Sequence, residues 1–314
     1  MRGILEKQGR RVFRQTAGMA VQLLSASGFV GPLWLYKRYM ENLDRETVDG
    51  FGLEWSAFDQ SALSKAEKLA MFEGYFSIFP WDRLPKDAVG ADIGCGSGRW
   101  ASLVASRVGQ LHCVDPSREA LSVARDNLAG SANVRFHHAA VDAMPIPDGS
   151  LDFAYSLGVL HHVPNTADAI RSVASKLKSG APFLMYLYYA FDNRPVWYRL
   201  VWKVSDWTRL AVARMPFPIR YAVSQMIAVT VYWPLARMAR VLRSAGRLPR
   251  NWPLAHYVDR TFYVIRTDAL DRFGTRLEHR YTRSQIAAML EAAGFTEVRF
   301  SDSPPYWCAV AIRR

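Results

Sequence analysis

The most constraining feature of this sequence is the segment V-G-A-D-I-G-C-G-S-G-R-W at residues 89–100. A short apolar run, typical of a buried strand, ends in Asp92, and glycines follow at alternate positions, Gly94, Gly96 and Gly98. Glycine allows backbone conformations, and a close approach of ligand, that a Cβ atom would block. A carboxylate at the strand end can accept hydrogen bonds from that ligand. The segment therefore predicts a strand, a tight ligand-binding turn and the start of a helix.

A second acid follows the next apolar run. Residues 110–114 are typical of a buried strand and end in Asp115, 23 residues after Asp92. This interval fits one strand–helix–strand step, which brings both acids to the same edge of a parallel sheet. Ser117 is expected to cap the helix that follows Asp115, and the pattern extends this helix to Leu128. A carboxylate at this edge can accept hydrogen bonds from both hydroxyls of a ribose, so the pair of acids predicts a nucleoside site.

The glycine spacing is G-x-G-x-G, whereas a dinucleotide fingerprint would place its third glycine one position later, at Arg99. Together with the acids, the pattern resembles the class I S-adenosylmethionine-dependent methyltransferases of small molecules, in particular the UbiE/methyltransferase type 11 group. The resemblance covers roughly residues 85–190 and 278–312. It implies an α/β fold, with a doubly wound Rossmann-like seven-stranded sheet and a terminal antiparallel strand, extended by a helical insertion and an N-terminal helical cap.

The resemblance also implies that S-adenosylmethionine is the cofactor and that strand ends hold it. The methionine end would lie at the glycine turn, and Asp115 would hold the ribose. The segment A-V-D-A-M-P would hold adenine, with Asp142 accepting from the exocyclic amine and the Ala143 backbone bonding the ring. The residues expected to bind the cofactor are Asp92, Gly94, Cys95, Gly96, Gly98, Asp115, Pro116, Asp142, Ala143, Ser156, Leu157 and Trp55. No metal site is expected.

The chain is expected to have four parts: an N-terminal helical cap or lid at 1–84, the cofactor-binding core at 85–190, a helical acceptor-site insertion at 191–277, and the rest of the core at 278–314. The cap contains an aromatic segment, with Phe51, Trp55 and Phe58 as candidates to close the cofactor pocket. Simple packing of these rings is the alternative.

A cytoplasmic location is expected because the cofactor is cytosolic and the three cysteines, Cys95, Cys113 and Cys308, do not suggest a disulfide framework. Residues 1–16 are basic and residues 15–36 lack charge, which imitates a signal peptide. Polar and helix-breaking residues dilute the uncharged run, so it does not predict a spanning helix. Two interpretations stay open for it: an interfacial helix on the inner membrane surface, and a cap packed against the chain's own core.

The net charge of +12 is concentrated in the insertion. Residues 191–250 contain eleven arginine or lysine residues and two acids, a net charge of +9, and residues 191–252 hold five of the ten tryptophans. This composition suits a lipid-like acceptor or an anionic membrane surface, with contacts expected from Arg237, Arg240 and Arg243. A lid that packs its aromatic side chains inward is the alternative. Nucleic acid is not expected as a partner, because the bases are spread among apolar stretches.

The expected chemistry is in-line methyl transfer, in which positioning of the two reactants supplies much of the rate. A hydroxyl acceptor would also benefit from a general base. His161 and His162 follow the fourth predicted strand, and one of them is a candidate for that base; capping or packing is the other interpretation. Tyr188 and Tyr189 end the fifth strand at the same sheet edge and are candidates to line the acceptor site.

The function predicted from the sequence is therefore S-adenosylmethionine-dependent methylation of a small or amphipathic acceptor. Two alternatives stay open. One is a scaffold that binds the cofactor without catalysis, and the other is a dinucleotide-dependent oxidoreductase.

Overall fold

A seven-stranded sheet organises the residues that the computed structural model describes, 42–314. Its strands are Val89–Ile93 (β1), Gln110–Asp115 (β2), Val134–His138 (β3), Phe153–Leu157 (β4), Pro182–Tyr186 (β5), Phe295–Phe300 (β6) and Cys308–Arg313 (β7). The strand order is β3-β2-β1-β4-β5-β7-β6, and β7 alone runs antiparallel to its neighbours. The predicted Rossmann-like sheet with a terminal antiparallel strand is confirmed.

Helices cover the sheet and continue into the insertion. The α-helices of the described residues are Arg45–Ala57 (α1), Lys65–Phe76 (α2), Ala101–Val104 (α3), Arg118–Asn127 (α4), Thr166–Lys176 (α5), Val196–Val212 (α6), Phe217–Ile227 (α7), Trp233–Ser244 (α8), Phe262–Gly274 (α9) and Arg283–Ala292 (α10). Side-chain caps begin several of them as the sequence predicts: Ser117 caps α4, and Thr282 caps α10 in a reciprocal capping box with Gln285.

Side chains of the parallel strands alternate between two cores, one on each face of the sheet. Ala91 and Ile93 of β1 pack into the core that α5 and α10 cover. Leu111 and Cys113 of β2 pack into the opposite core, which α2 and α4 cover. Because both faces are buried, the strands are nearly all apolar and their registers are fixed. The carboxyl ends of β1, β2 and β4 therefore meet at one edge, where the chain turns into loops.

A third core holds the insertion together, between α7, α8 and α9. The sequence predicts helices over 196–215 and 221–243, broken near Pro216 and Pro218, with the second helix kinked or split at Pro234. The break near Pro216 is confirmed, but α7 already begins at Phe217 and holds Pro218 in its first turn, where proline is tolerated. A π-helical turn, Ala228–Tyr232, separates α7 from α8 just before Pro234, as predicted. The helix α9, by contrast, is not predicted by the pattern.

The segment after the glycine turn differs from the prediction of one helix over 99–108. Residues 97–100 form a turn, α3 is a single turn, and a 3₁₀ segment follows at Ala105–Arg107. The chain has to reach β2 at once, because the backbone N–H groups of Gly109 and Gln110 both donate to the Ala88 carbonyl. A longer helix would overshoot that connection.

The described helices include none that is both long and apolar enough to span a membrane. The expectations for residues 1–16 and 15–36 lie outside the described residues.

The close packing of β1 against β4 gives a test of the sheet. A Cβ atom at Gly90 would lie 2.1 Å from ring atoms of Phe153, a fully buried side chain. Gly90→Ala is therefore expected to lower the free energy of unfolding by roughly 1–3 kcal/mol, measured by urea denaturation. The control is Gly130→Ala, where a Cβ atom would have nothing within 4 Å. Equal stability of the two variants would contradict this account of the packing.

Candidate functional site

The glycine turn has the conformation that the sequence predicts. Gly94, Gly96 and Gly98 have φ angles of +76°, +52° and +72°, in the left-handed region that favours glycine. A Cβ atom at Gly96 would lie 2.8 Å from the Trp55 indole nitrogen, so this position also needs glycine for space. The turn therefore combines backbone freedom with a close approach to the aromatic side chain of α1.

The end of β2 anchors the turn. The N–H groups of Gly94 and Cys95 donate to the Val114 carbonyl at 2.7 and 3.1 Å. The N–H of Gly96 donates to the Asp115 carboxylate at 2.9 Å. These three N–H groups are already hydrogen-bonded to β2. A ligand at the turn therefore contacts the Cα atoms of the turn and those of its polar side chains that have no partner.

An open cavity lies over the turn, between α1 and the loop that follows β4. A concave cleft of mostly apolar lining with a few polar groups is the usual form of a small-molecule site. The predicted residues that line it are Trp55, Gly94, Cys95, Gly96, Asp115, Pro116, Leu157 and His162. Phe51 lines it as well, whereas Phe58 packs against Tyr221 and Tyr263 outside it.

Asp115 both supports the turn and faces the cavity. Its two carboxylate oxygens accept from the Gly96 and Ser117 N–H groups, each at 2.9 Å. Burial nevertheless raises the pKa of this carboxyl to about 6, against the lowering effect of those two hydrogen bonds. The group is ionised at neutral pH and keeps lone pairs for a ligand hydroxyl.

Asp92 lies beneath the turn rather than in the cavity wall. It is 2% exposed and accepts a hydrogen bond from the Tyr155 hydroxyl at 2.9 Å, which ties β1 to β4. Burial raises the pKa of this carboxyl to about 8. Its position supports a role in holding the strand ends together, and its role toward the cofactor stays a prediction.

Four further predicted residues also lie outside the cavity wall. Gly98 packs against α4, where a Cβ atom would lie 2.8 Å from Leu128. Ser156 is fully buried and donates to the Ile93 carbonyl. Asp142 and Ala143 are exposed. One oxygen of the Asp142 carboxylate accepts from the Asn42 backbone N–H at 2.7 Å. The carboxylate predicted to accept from the adenine amine therefore already has one donor.

The two histidines have different surroundings. His162 lines the cavity, and its Nδ1 lies 2.7 Å from the Leu277 carbonyl oxygen. A carbonyl can only accept, so Nδ1 carries the proton and Nε2 has a free lone pair. This buried Nε2 has no partner among the described residues. His161 is fully buried outside the cavity wall, its ring 4.0 Å from that of Tyr188. Burial lowers the pKa of both side chains, so both are neutral at pH 7.

Tyr188 and Tyr189 lie behind the cavity wall. The Tyr188 hydroxyl donates to the Asp271 carboxylate of α9, and its ring packs against His161. Tyr189 is half-buried, and its hydroxyl accepts from Arg194 at 3.4 Å. Tyr188 thus packs against His161, Tyr189 packs against Phe191 of the insertion, and direct contact of either with an acceptor stays a prediction.

The cavity wall contains polar side chains that the sequence did not single out, among them Ser97 and Arg99. Ser97 is buried, and its hydroxyl has no partner among the described residues. Arg99 places its guanidinium over the rings of Trp100 and Trp55, 4.3 and 5.8 Å from their centroids, and its buried Nε is likewise without a partner. Their positions in the glycine turn, where a ligand approaches, are the signal that could have found them.

A smaller cavity of about 240 Å³ adjoins the first and shares Thr47 and Phe51 with it. Its wall contains the buried Glu54 of α1 and Arg220 of α7. Burial raises the pKa of the Glu54 carboxyl well above its usual value, and the nearby Asp271 adds to the effect. Glu54 and Arg220 thus bring polar groups into a wall that also contains Phe51, Phe217 and Leu270.

The residues present fit S-adenosylmethionine. The Asp115 carboxylate can accept from ribose hydroxyls, and the Arg99 guanidinium is the complement of a carboxylate. Ser97 supplies a buried hydroxyl that is without a partner among residues 42–314. The described residues contain no group of three side chains suited to hold a metal ion.

Comparison with known proteins identifies a methyltransferase domain within this chain. Residues 91–185 match the family model of a methyltransferase domain. The uncharacterized methyltransferase YcgJ of Bacillus subtilis is 34% identical over 32% of this chain and 41% of its own length. An uncharacterized methyltransferase of Mycobacterium tuberculosis is 24% identical over 50% of this chain and 74% of its own length. The demethylmenaquinone methyltransferase of Bacillus licheniformis is 26% identical over 31% of this chain and 43% of its own length.

This chain thus spans less than half the length of YcgJ, and the family model matches residues 91–185. Within that part, the resemblance to S-adenosylmethionine-dependent methyltransferases is confirmed, and with it the cofactor. The matches do not favour the oxidoreductase alternative.

The glycine turn provides a test of cofactor binding. Gly96→Ala places a Cβ atom against Trp55 in the cavity wall and is expected to weaken binding of S-adenosylhomocysteine by roughly tenfold or more, measured by calorimetric titration. Gly149→Ala is the matched control, because Gly149 also has a positive φ, +63°, but has nothing within 4 Å of the added atom. Equal affinity of the two variants would show that the cavity is not the binding site.

Proposed function

We propose that this chain, whose residues 91–185 are a methyltransferase domain, transfers the methyl group of S-adenosylmethionine to a hydroxyl of a small apolar or amphipathic acceptor. The observation that carries the proposal is the free Nε2 of His162, which lies in the wall of the cavity that contains the glycine turn and Asp115. A neutral imidazole at that position suits removal of a proton from a hydroxyl.

Three side chains are proposed to hold the cofactor. Asp115 accepts the ribose hydroxyls, Arg99 binds the carboxylate of the methionine moiety, and Trp55 covers the turn. When bound, the cofactor supplies a methyl group on a sulfonium, which is already activated for displacement. The protein's task is then to exclude water and to orient the acceptor oxygen in line with that methyl group.

His162 is proposed to take the acceptor's proton. Its Nδ1–H donates to the Leu277 carbonyl, which fixes the ring and leaves Nε2 as the basic nitrogen. Burial lowers its pKa, so the ring is unprotonated at neutral pH. The bound cofactor would supply the methyl group and leave as a neutral thioether, and Nε2 of His162 would accept the proton that the acceptor hydroxyl loses.

An apolar or amphipathic acceptor is supported by the rest of the cavity wall. Leu43, Val48, Phe51, Val159 and Val163 line the main cavity beside His162. The smaller cavity adds Phe217 and Leu270 beyond Phe51, together with the polar groups of Glu54 and Arg220. A relative from Albidiferax ferrireducens is named as a ubiquinone biosynthesis O-methyltransferase. We propose a hydroxyl on an apolar body as the acceptor for this chain.

The reaction can be tested without knowing the acceptor. The protein is incubated with methyl-labelled S-adenosylmethionine and either the organic-extractable or the aqueous fraction of a cell extract, and labelled products are identified by mass spectrometry. Labelled methyl ethers from the organic fraction are the expected result. Transfer to nitrogen or carbon alone would contradict the hydroxyl acceptor. Binding of cofactor with no transfer to either fraction would favour the alternative of a catalytically silent scaffold.

The role of His162 gives a separate prediction. His162→Gln keeps a donor for the Leu277 carbonyl but removes the base, so the turnover rate with the organic fraction is expected to fall by roughly 100-fold or more. The wild-type rate should decline as the pH drops through the lowered pKa of His162, because protonation consumes the lone pair. The variant should lack this decline.

The control for this variant is His161→Phe. Both ring nitrogens of His161 lack a partner in the described structure, so a phenyl ring replaces it without loss of a hydrogen bond. This variant should keep nearly the wild-type rate, and both variants should bind S-adenosylhomocysteine normally. A wild-type rate and pH profile in His162→Gln would overturn the assignment of the base.

A further inference from the structure

Helix α6 exposes its apolar side. Six large apolar residues recur on one face, each about half or more exposed: Val196, Trp197, Leu200, Val201, Val204 and Trp207, the last 65% exposed. The opposite face packs inward through Arg209 and Val212, which are buried. A helix of a globular protein normally turns its apolar face to the core, and contiguous exposed apolar surface marks an interaction site.

The following helices repeat the pattern. Both α6 and α7 pack against α9, and the outer side of α7 and α8 carries Ile219, Met226, Val229, Met238 and Val241, all at least half exposed. The alternative of a lid that packs its aromatic side chains inward holds for Trp202 and Trp233, which are partly buried. It does not hold for Trp197 and Trp207.

The charges beside the apolar face of α6 are all positive. Arg199 and Lys203 are exposed and lie within one turn of Val196 and Val204, and neither has an ion-pair partner in the described part of the chain. The one acid of α6, Asp206, is turned inward and is bound by Arg209 at 2.6 Å and by Arg272 at 3.3 Å. An apolar face edged by unpaired cations is complementary to an apolar surface that carries anions.

We infer that α6 binds the surface of an anionic lipid bilayer, with its apolar face in the headgroup region and Arg199 and Lys203 against the lipid phosphates. Tryptophan, leucine and valine on one side, with lysine and arginine beside them, is the composition of an interfacial helix. A second copy of the chain is a poorer occupant, because two such faces would bring like charges together. The inference goes beyond the proposed methyl transfer, since vesicle binding needs neither cofactor nor acceptor.

The basic residues chosen from the sequence have partners within the insertion. Arg237 and Arg240 donate to the carbonyls of Arg260 and Val258, and Arg243 forms a bidentate ion pair with Asp259. These arginines tie α8 to the segment before α9, and their contact with a membrane stays a prediction. Reversing their charge would disturb the insertion itself.

The test uses the full-length protein and co-sedimentation with vesicles. Binding is measured to vesicles of phosphatidylcholine alone and to an equimolar mixture with phosphatidylglycerol, at low and high salt. The expected result is preferential binding to the anionic vesicles, weakened by salt. Each basic residue contributes about 1 kcal/mol, or about fivefold, so the double variant Arg199→Glu/Lys203→Glu should partition roughly 25-fold more weakly or worse.

Matched variants separate α6 from the rest of the chain. Lys65→Glu/Lys86→Glu makes the same change in net charge at exposed lysines elsewhere and should bind like the wild type. Leu200→Ser/Val204→Ser should weaken vesicle binding by roughly tenfold, whereas Leu69→Ser, at an exposed leucine of α2, should not. All variants should retain wild-type helical content and S-adenosylhomocysteine affinity.

Three results would overturn the inference: no binding of the wild type to anionic vesicles at low salt, equal binding to neutral vesicles, or wild-type binding by both α6 variants. The last result would place any vesicle binding on another part of the chain.

Discussion

The hydrogen bonds that hold the glycine turn to the end of β2 are the interaction on which the rest of the site depends. Val114 and Asp115 accept all the N–H groups of Gly94, Cys95 and Gly96, so the shape of the turn follows from the register of β1 against β2. That register is fixed because both faces of the sheet are buried. The cavity, and the approach of Trp55 to Gly96, follow from it.

The core of the fold could be predicted because its signals are local. Apolar runs of strand length, capping residues and the glycine turn specify β1, β2 and α4 through contacts within a few residues or with the next element. The interval between Asp92 and Asp115 then fixes their placement at one edge of the sheet. The sequence did not show which of the two acids lines the cavity. Asp115 faces it, whereas Asp92 lies beneath the turn and accepts from Tyr155.

The rest of the site depends on long-range contacts. The charged side chains of helix α9 have partners elsewhere in the chain, which hides its pattern: the half-buried Asp271 accepts from Tyr188, and the buried Arg272 binds Glu278. Sequence could place two histidines after β4, but the choice of His162 rests on the Leu277 carbonyl, which lies 115 residues further along the chain. Local patterns carry no information about such partners.

The central claim is that this cavity binds S-adenosylmethionine through the Asp115 carboxylate. The most direct measurement is the affinity for S-adenosylhomocysteine as a function of pH, by calorimetry, in the wild type and in Asp115→Ala. Because burial raises the pKa of Asp115 to about 6 and only the ionised form accepts two hydroxyls, wild-type affinity should be constant well above pH 6 and fall below it toward the affinity of Asp115→Ala. Asp115→Ala should bind roughly tenfold more weakly at neutral pH and lack that decline. Equal affinity in the two proteins, with the same pH dependence, would contradict the account.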